Sequence, residues 1–174
     1  MAHVVTLPPE PFLAMDGRLR VHPLPAATDN LVWLAECVAT GQCVVVDGPT
    51  AGEALARVQE RGLQLVGVLN THTHGDHIGI NRDLAKRGLL QGLRVVGHAG
   101  REGDIPGLTE PVREGDTVRF GEIEGRVLLT EGHLDGHISF VFGDVLFCGD
   151  TLFAGGCGYL FDGPPATMFD SLLR

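Results

Sequence analysis

Apolar residues fall in short runs along this chain, and glycines, prolines and aspartates mark the breaks between them. Leu19–Pro25 (LRVHPLP) reads as a strand ended by prolines. Leu31–Val38 and Cys43–Val46, separated by Ala-Thr-Gly-Gln, read as a hairpin. Asp47-Gly48-Pro49 stops the second strand. Thr50, with Glu53 at capping-box spacing, then predicts a helix through GEALARVQERG that Gly62 ends. Leu63–Asn70 (LQLVGVLN) has no long polar face, as expected of a strand buried on both sides. Ile80–Leu90 has helical spacing and Leu93–His98 is strand-like, whereas REGDIPGLTEPVREGD is polar and turn-rich. From Thr117 short strands joined by glycine turns follow: TVRF, EGRVLLT, HISFVFG and DVLFCGD. In PPATMFDSLLR, Met168, Phe169, Leu172 and Leu173 share one face of an incipient helix.

Strands dominate both ends, with strand–helix–strand units between them. That pattern predicts two facing sheets with helices packed outside, a layered α/β sandwich. The 174 residues suit one domain spanning 1–174, with 44% hydrophobic and 20% charged residues. The net charge of −9 and the scattered Lys and Arg provide no basic stripe, which argues against nucleic acid and anionic membranes as partners. A small anionic ligand remains compatible, because a bound cation reverses the local field. No apolar run has the length of a membrane span. MAHVVTLPPEPFLAMDG lacks the charged and apolar regions of a signal peptide. Cys37, Cys43, Cys148 and Cys157 form no CxxC pair, so reduced, mostly buried thiols and a cytoplasmic setting are expected.

The chemistry concentrates at Thr71–His77, THTHGDH, where His72, His74, Asp76 and His77 fall within six residues after an apolar strand. His72 and His74 point the same way on extended backbone and can share one ion. Gly75 lets Asp76 and His77 turn toward a second point, at the roughly 3.5–4 Å that separates paired catalytic metals. Two downstream segments offer further ligands at strand ends: His133 in TEGHLDGH and Asp150 in CGDTLF. Asp150 could bridge two ions through its two oxygens. His137 is read as holding the His133 loop by hydrogen bonding. His3, His22 and His98 have no clustered partners and are read as ordinary exposed or satisfied side chains. Nitrogen and carboxylate donors suit Zn²⁺, Fe²⁺ or Mn²⁺.

THTHGDH, GHLDGH and GDTLFAGGCG, in this order, resemble the metallo-β-lactamase superfamily, and within it glyoxalase II, the hydroxyacylglutathione hydrolases. LPAATDN, VVVDGP and GDTLFAGGCGYLFDG extend the resemblance over the chain from about Leu24. It implies a four-layer αββα sandwich. It also implies two divalent metal ions, with zinc expected and iron or manganese as alternatives. His72, His74 and His133 would hold the first ion, Asp76 and His77 the second, and Asp150 would bridge. Asp76 would also help position the attacking hydroxide. The implied reaction is hydrolysis of S-D-lactoylglutathione to D-lactate and glutathione by a metal-bound hydroxide, in cytoplasmic methylglyoxal detoxification.

The sequence also departs from that family. No histidine follows His137, so the further histidine of the second metal site has no counterpart and that site is incomplete. The helical C-terminal domain that grips glutathione is missing, which suggests a chain truncated at its C-terminal end. Tyr159, after Gly158, stands where the family carries Arg or Lys facing the glutathione carboxylate. Gly158 and Tyr159 are the candidate substrate-binding positions. Two alternatives follow: a persulfide-dioxygenase-like enzyme with a single iron, and an inactive metal-binding fragment.

Overall fold

The computed structural model describes residues 9–174, so His3 lies outside the described residues. Seven strands form one sheet in chain order: β1 (Phe12–Ala14), β2 (Leu19–Ala26), β3 (Asn30–Cys37), β4 (Gln42–Val46), β5 (Gln64–Leu69), β6 (Arg94–His98) and β7 (Glu110–Val112). The first three pairings are antiparallel and the last three parallel. A second, antiparallel sheet contains β8 (Thr117–Phe120), β9 (Ile123–Leu129), β10 (Ile138–Phe142) and β11 (Val145–Phe147), in the order β11-β10-β9-β8.

Side-chain alternation along the strands builds the layers. Val44 and Val46 face Phe140, Phe142 and Phe147 in the core between the sheets. Cys43 and Val45 point the other way, toward α1 (Gly52–Arg61) and α2 (Gly75–Lys86), where Ala54, Ile80 and Leu84 are buried. In α3 (Pro165–Leu172) Met168 is buried, and Ser171 Oγ donates to the Glu131 carbonyl at 2.6 Å on the β9–β10 connection. These elements make up the helix–sheet–sheet–helix order.

The structure changes several expected boundaries. The cap of α1 is Ala51, without a side-chain cap bond, so the Thr50–Glu53 capping box does not form. The Ala51 N–H instead donates to Asp83 Oδ2 of α2 at 2.9 Å, so a tertiary partner satisfies that helix end. The second helix starts at Gly75 rather than Ile80 and ends at Lys86 rather than Leu90. Asp76 and His77 are therefore in its first turn. β7 lies in the stretch expected to be all turn: it satisfies the edge of β6 despite its polar composition. β1, also unexpected, pairs with β2.

His22, expected to be an isolated histidine, is 1% exposed and belongs to a buried ionic network. Its Nε2–H donates to Glu36 Oε2 at 2.7 Å, and Arg57 donates to Nδ1 at 3.1 Å. Arg20 and Arg61 also reach Glu36. A second proton on the ring would face the Arg57 N–H. Burial, the larger effect, likewise holds the His22 pKa below its ordinary 6.5, against the pull of Glu36.

Two outcomes test this packing. The folded state disfavours protonated His22, so its contribution is full above pH 6.5 and falls as pH drops below that value. The thermal midpoint of wild type should fall more steeply below pH 6.5 than that of His22→Gln. Parallel curves would remove His22 from the pH dependence. At Gly79 of α2, an added Cβ would overlap the Pro49 backbone. Gly79→Ala should destabilise the protein by about 1–3 kcal/mol in denaturant melts; no change would mean that α2 does not press on this turn.

Candidate metal centre

Strands β4, β5, β9 and β11 deliver their following loops to one rim of the sandwich. Open α/β sheets place sites there, because the strands fix the loop ends while the loops face solvent. His72 and His74 follow β5, Asp76 and His77 begin α2, His133 follows β9, and Asp150 follows β11.

Four donors converge first. His74 Nδ1 lies 3.1 Å from His72 Nε2 and 2.9 Å from His133 Nε2. Asp150 Oδ2 is 3.3 Å from His133 Nε2 and 3.9 Å from His72 Nε2. Ligand atoms on a tetrahedral ion with bonds of about 2.0–2.1 Å stand about 3.3 Å apart, so these spacings fit one common centre. On the other side of the same carboxylate, Asp150 Oδ1 is 3.3 Å from His77 Nε2, and Asp76 Oδ2 is 3.6 Å from that nitrogen. Asp150 thus offers one oxygen to each group.

The backs of the rings show why the front atoms are free to bind. Thr71 Oγ1 donates to Asp47 Oδ2 at 2.6 Å, so it accepts from His72 Nδ1 at 3.0 Å. His133 Nδ1–H donates to the Tyr159 carbonyl at 2.6 Å, and His77 Nδ1–H donates to Asp47 Oδ2 at 3.0 Å. With the protons at the back, His72 and His133 turn Nε2 lone pairs inward; His77, whose Nδ1–H is held by Asp47, would do the same once a cation displaced the proton that Asp150 favours on its Nε2. Facing lone pairs about 3 Å apart call for a cation between them, so the residues present fit a metal.

The electrostatics agree. Burial, followed by the neighbouring imidazoles, drives the His72 pKa far below its ordinary value, so the ring is neutral. Burial also opposes charge on His77, but Asp47 and Asp150 outweigh it and push its pKa up to about 10. Burial likewise opposes the Asp150 carboxylate, yet the His77 hydrogen bond and charge hold its pKa below the usual value. The rim is thus neutral imidazole on one side and carboxylate-rich on the other, and the carboxylates favour a positive charge.

Asp47 is the important residue that the sequence reading passed over, because Asp-Gly-Pro looked like a simple stop. It is buried, with φ 52°, in the left-handed region. It accepts from the Thr71 N–H at 2.9 Å as well as from the Thr71 hydroxyl and His77. Although Asp47, His72 and His77 come close enough to form a donor group, these hydrogen bonds occupy the Asp47 oxygens and place it behind the centre. Asn30 supports the exposed side by donating to Asp76 Oδ2 at 2.9 Å.

The remaining expected residues have specific positions. His137 does more than hold the His133 loop. Its Nε2 accepts the Asp150 N–H at 3.2 Å, and Nδ1 lies 3.1 Å from Thr130 Oγ1 and 3.2 Å from Thr151 Oγ1. Burial pushes its pKa down to about 3, which keeps Nε2 an acceptor. Gly158 is buried against the donor residues. A Cβ there would overlap the Asp150 carbonyl and stand 2.7 Å from His133 Nδ1, so this position serves close packing. Tyr159 gives its carbonyl to His133 while its side chain is exposed and packs on Phe161, 4.9 Å away between ring centroids. Phe161 in turn lies edge-on against His74 and His133. All four cysteines are free: Cys37 and Cys43 are buried, and Cys157 is exposed. His98 stands apart from the donors and accepts from the Gly100 N–H at 3.3 Å.

Residues 27–174 match the family model described as the metallo-beta-lactamase superfamily. A protein of Rhodospirillum rubrum named hydroxyacylglutathione hydrolase is 42% identical over 158 residues, which is 90% of this chain and 60% of that relative's length. The chain therefore spans less than two thirds of that relative. The crystal structure of ETHE1 from Myxococcus xanthus superposes with a TM-score of 0.70 at 31% identity, covering 94% of this chain and 67% of that one. That of TTHA1623 in a di-iron-bound form gives a TM-score of 0.68 at 29% identity, with 88% and 85% covered.

His133→Ala should lose metal from the purified, metal-loaded protein by elemental analysis, while His98→Ala should leave the content unchanged; equal effects would show that the centre is misplaced. Asp47→Asn should weaken binding by about 10–100-fold, as loss of a ring-orienting partner does. Unchanged affinity would mean that Asp47 does not orient His77.

Proposed function

From the premise that the chain belongs to the metallo-beta-lactamase superfamily, we propose that it hydrolyses glutathione thioesters, with S-D-lactoylglutathione as the reference substrate. The observation that carries this reading is the pair of donor groups sharing Asp150. The 42% identity to a hydroxyacylglutathione hydrolase supports the choice of substrate. His72, His74, His133 and Asp150 would hold one divalent ion, and Asp76, His77 and Asp150 a second. Zinc is the expected metal, with iron or manganese as alternatives. The di-iron form of TTHA1623 supports a count of two. A single-ion, persulfide-dioxygenase-like centre would leave the Asp76–His77 side without a role. Bound metal supplies a water of lowered pKa and a Lewis acid for the thioester carbonyl.

The chain's own groups prepare that reaction. Asp47 and the Tyr159 carbonyl keep the His77 and His133 protons on Nδ1, which leaves Nε2 available. Asn30 steadies Asp76 at the edge of the reacting space. Phe161 packs edge-on against His74 and His133 on that flank. The leaving thiolate derives from a thiol of pKa about 8.5, so departure needs no strong general acid. Cys148 is not the nucleophile: burial pushes its thiol pKa up, and it donates to the Leu152 carbonyl at 3.3 Å. Where the family has a cation facing glutathione, Tyr159 brings an uncharged phenol. No described helix is long and apolar enough to cross a membrane.

Metal-loaded protein should release free thiol from S-D-lactoylglutathione without consuming oxygen, and a chelator should abolish the release. Asp150→Asn should lower the rate by about a hundredfold or more, beyond the 10–100-fold typical of residues behind the ligands. Turnover that survives chelation, or that needs oxygen, would overturn the hydrolase reading.

A further inference from the structure

The β9–β10 connection, residues 130–137, carries His133 and contains two glycines at positive φ, Gly132 at 130° and Gly136 at 74°. Glycine leaves the backbone free to take many directions, so the connection does not by itself fix where His133 stands. It closes at its base: the Thr130 N–H donates to the His137 carbonyl at 2.9 Å, and the His137 N–H to the Leu134 carbonyl at 3.2 Å. Groups between these bonds are met by one segment, 158–171, at separations of 26 to 40 positions along the chain. The Phe161 N–H donates to the His133 carbonyl at 3.0 Å. Asp162 Oδ2 accepts the Asp135 N–H at 3.0 Å. From α3, Ser171 Oγ donates to the Glu131 carbonyl at 2.6 Å. The His133 ring is held by the same segment, through Nδ1–H to the Tyr159 carbonyl. Packing is equally close: a Cβ at Gly132 would stand 2.6 Å from Met168 Cα, so α3 lies directly on the connection. The segment also holds Asp150, whose carbonyl accepts the Gly158 N–H at 2.9 Å.

From these bonds we infer that segment 158–171 is a brace that sets the separation of His133 from His74 and Asp150, with Asp162 and Ser171 as positioning residues for metal capture. The inference rests on the metal-centre reading and deepens it; it does not depend on which ester is cleaved. Asp162 and Ser171 act through the main chain on either side of His133, one at Asp135 and one at Glu131. His133 Nε2 stands 2.9 Å from His74 Nδ1 and 3.3 Å from Asp150 Oδ2. Metal–ligand distances hold to within about 0.2 Å, so a shift of the connection by a fraction of an ångström is felt at the ion. Asp162 is exposed. A surface carboxylate is ordinarily replaced at little cost to stability, which makes this position a sharp probe of the brace.

Zinc affinity of the loaded protein, read by competition with a chromophoric chelator, tests the inference without turnover. Asp162→Ala/Ser171→Ala should bind zinc about tenfold more weakly than wild type, the low end of the range for groups behind a ligand. Asp162→Asn/Ser171→Thr keeps the accepting oxygen and the hydroxyl and should stay within about twofold of wild type. His22→Gln weakens the ionic network around Glu36, which contains none of the donors, and should lower the thermal midpoint while leaving zinc affinity unchanged. In cobalt-loaded protein the visible ligand-field bands should change in the alanine pair and not in His22→Gln. A circular dichroism melt shows which variants fold. Asp162→Ala alone, at an exposed position, should weaken zinc by about threefold and decides the question if the pair does not fold. Equal affinity in wild type and the folded alanine variants, or an equal loss in His22→Gln, overturns the brace. Wild type that binds no zinc removes the metal centre and the brace with it. Zinc binding that weakens in the alanine pair, without any thiol release from the thioester, supports the brace and removes the hydrolase reading instead, so these failures are distinguishable.

Discussion

The Asp47 carboxylate receives hydrogen bonds from the Thr71 backbone, the Thr71 hydroxyl and His77. Those three bonds tie the end of β4 to the loop after β5 and to the first turn of α2, the elements that supply the first four donors. A buried carboxylate is tolerable only when such bonds replace its water. The site therefore depends on a group that faces away from the reacting space. The bond to His77 fixes which nitrogen points forward, and the Thr71 hydroxyl passes the same constraint on to His72.

A second set of constraints ties together the loops of the second sheet. His137, rising from the β9–β10 connection, accepts the Asp150 backbone N–H and meets two threonine hydroxyls. Its low pKa keeps this acceptor in place across the physiological range. Asp150 is thus positioned through its main chain, while both carboxylate oxygens remain free for the two donor groups. Gly158 completes the arrangement by letting the aromatic loop close on Asp150 and His133 without a side chain between them.

Much of this was legible in the sequence because it is local. The strand run LQLVGVLN, the hairpin at Leu31–Val46 and the glycine-punctuated second half carry their periodicity in adjacent residues, and the structure has strands there. Likewise, THTHGDH announces its chemistry in a single window, and the structure brings His133 and Asp150 to it. What escaped depends on distant partners. β7 looks like turn because pairing with β6, not composition, makes it a strand. The start of α1 is set by Asp83, far along the chain, rather than by Thr50. Helix propensity pointed to Ile80, whereas the helix begins among the donors, at a glycine that suits either state. Asp47 and His22 were missed as partners for the same reason: their significance lies in what faces them across the fold.

The first donor group joins His74 to His133 across 59 positions of chain, and through opposite sheets. A nascent polypeptide can present the heptad as soon as it leaves the ribosome, but four-point chelation requires the sandwich to be assembled. Tight capture of an ion by these donors would consequently be coupled to closure of the two sheets. Slow dissociation of that ion would act as a clasp against unfolding, lengthening the lifetime of the native state rather than merely serving the reaction.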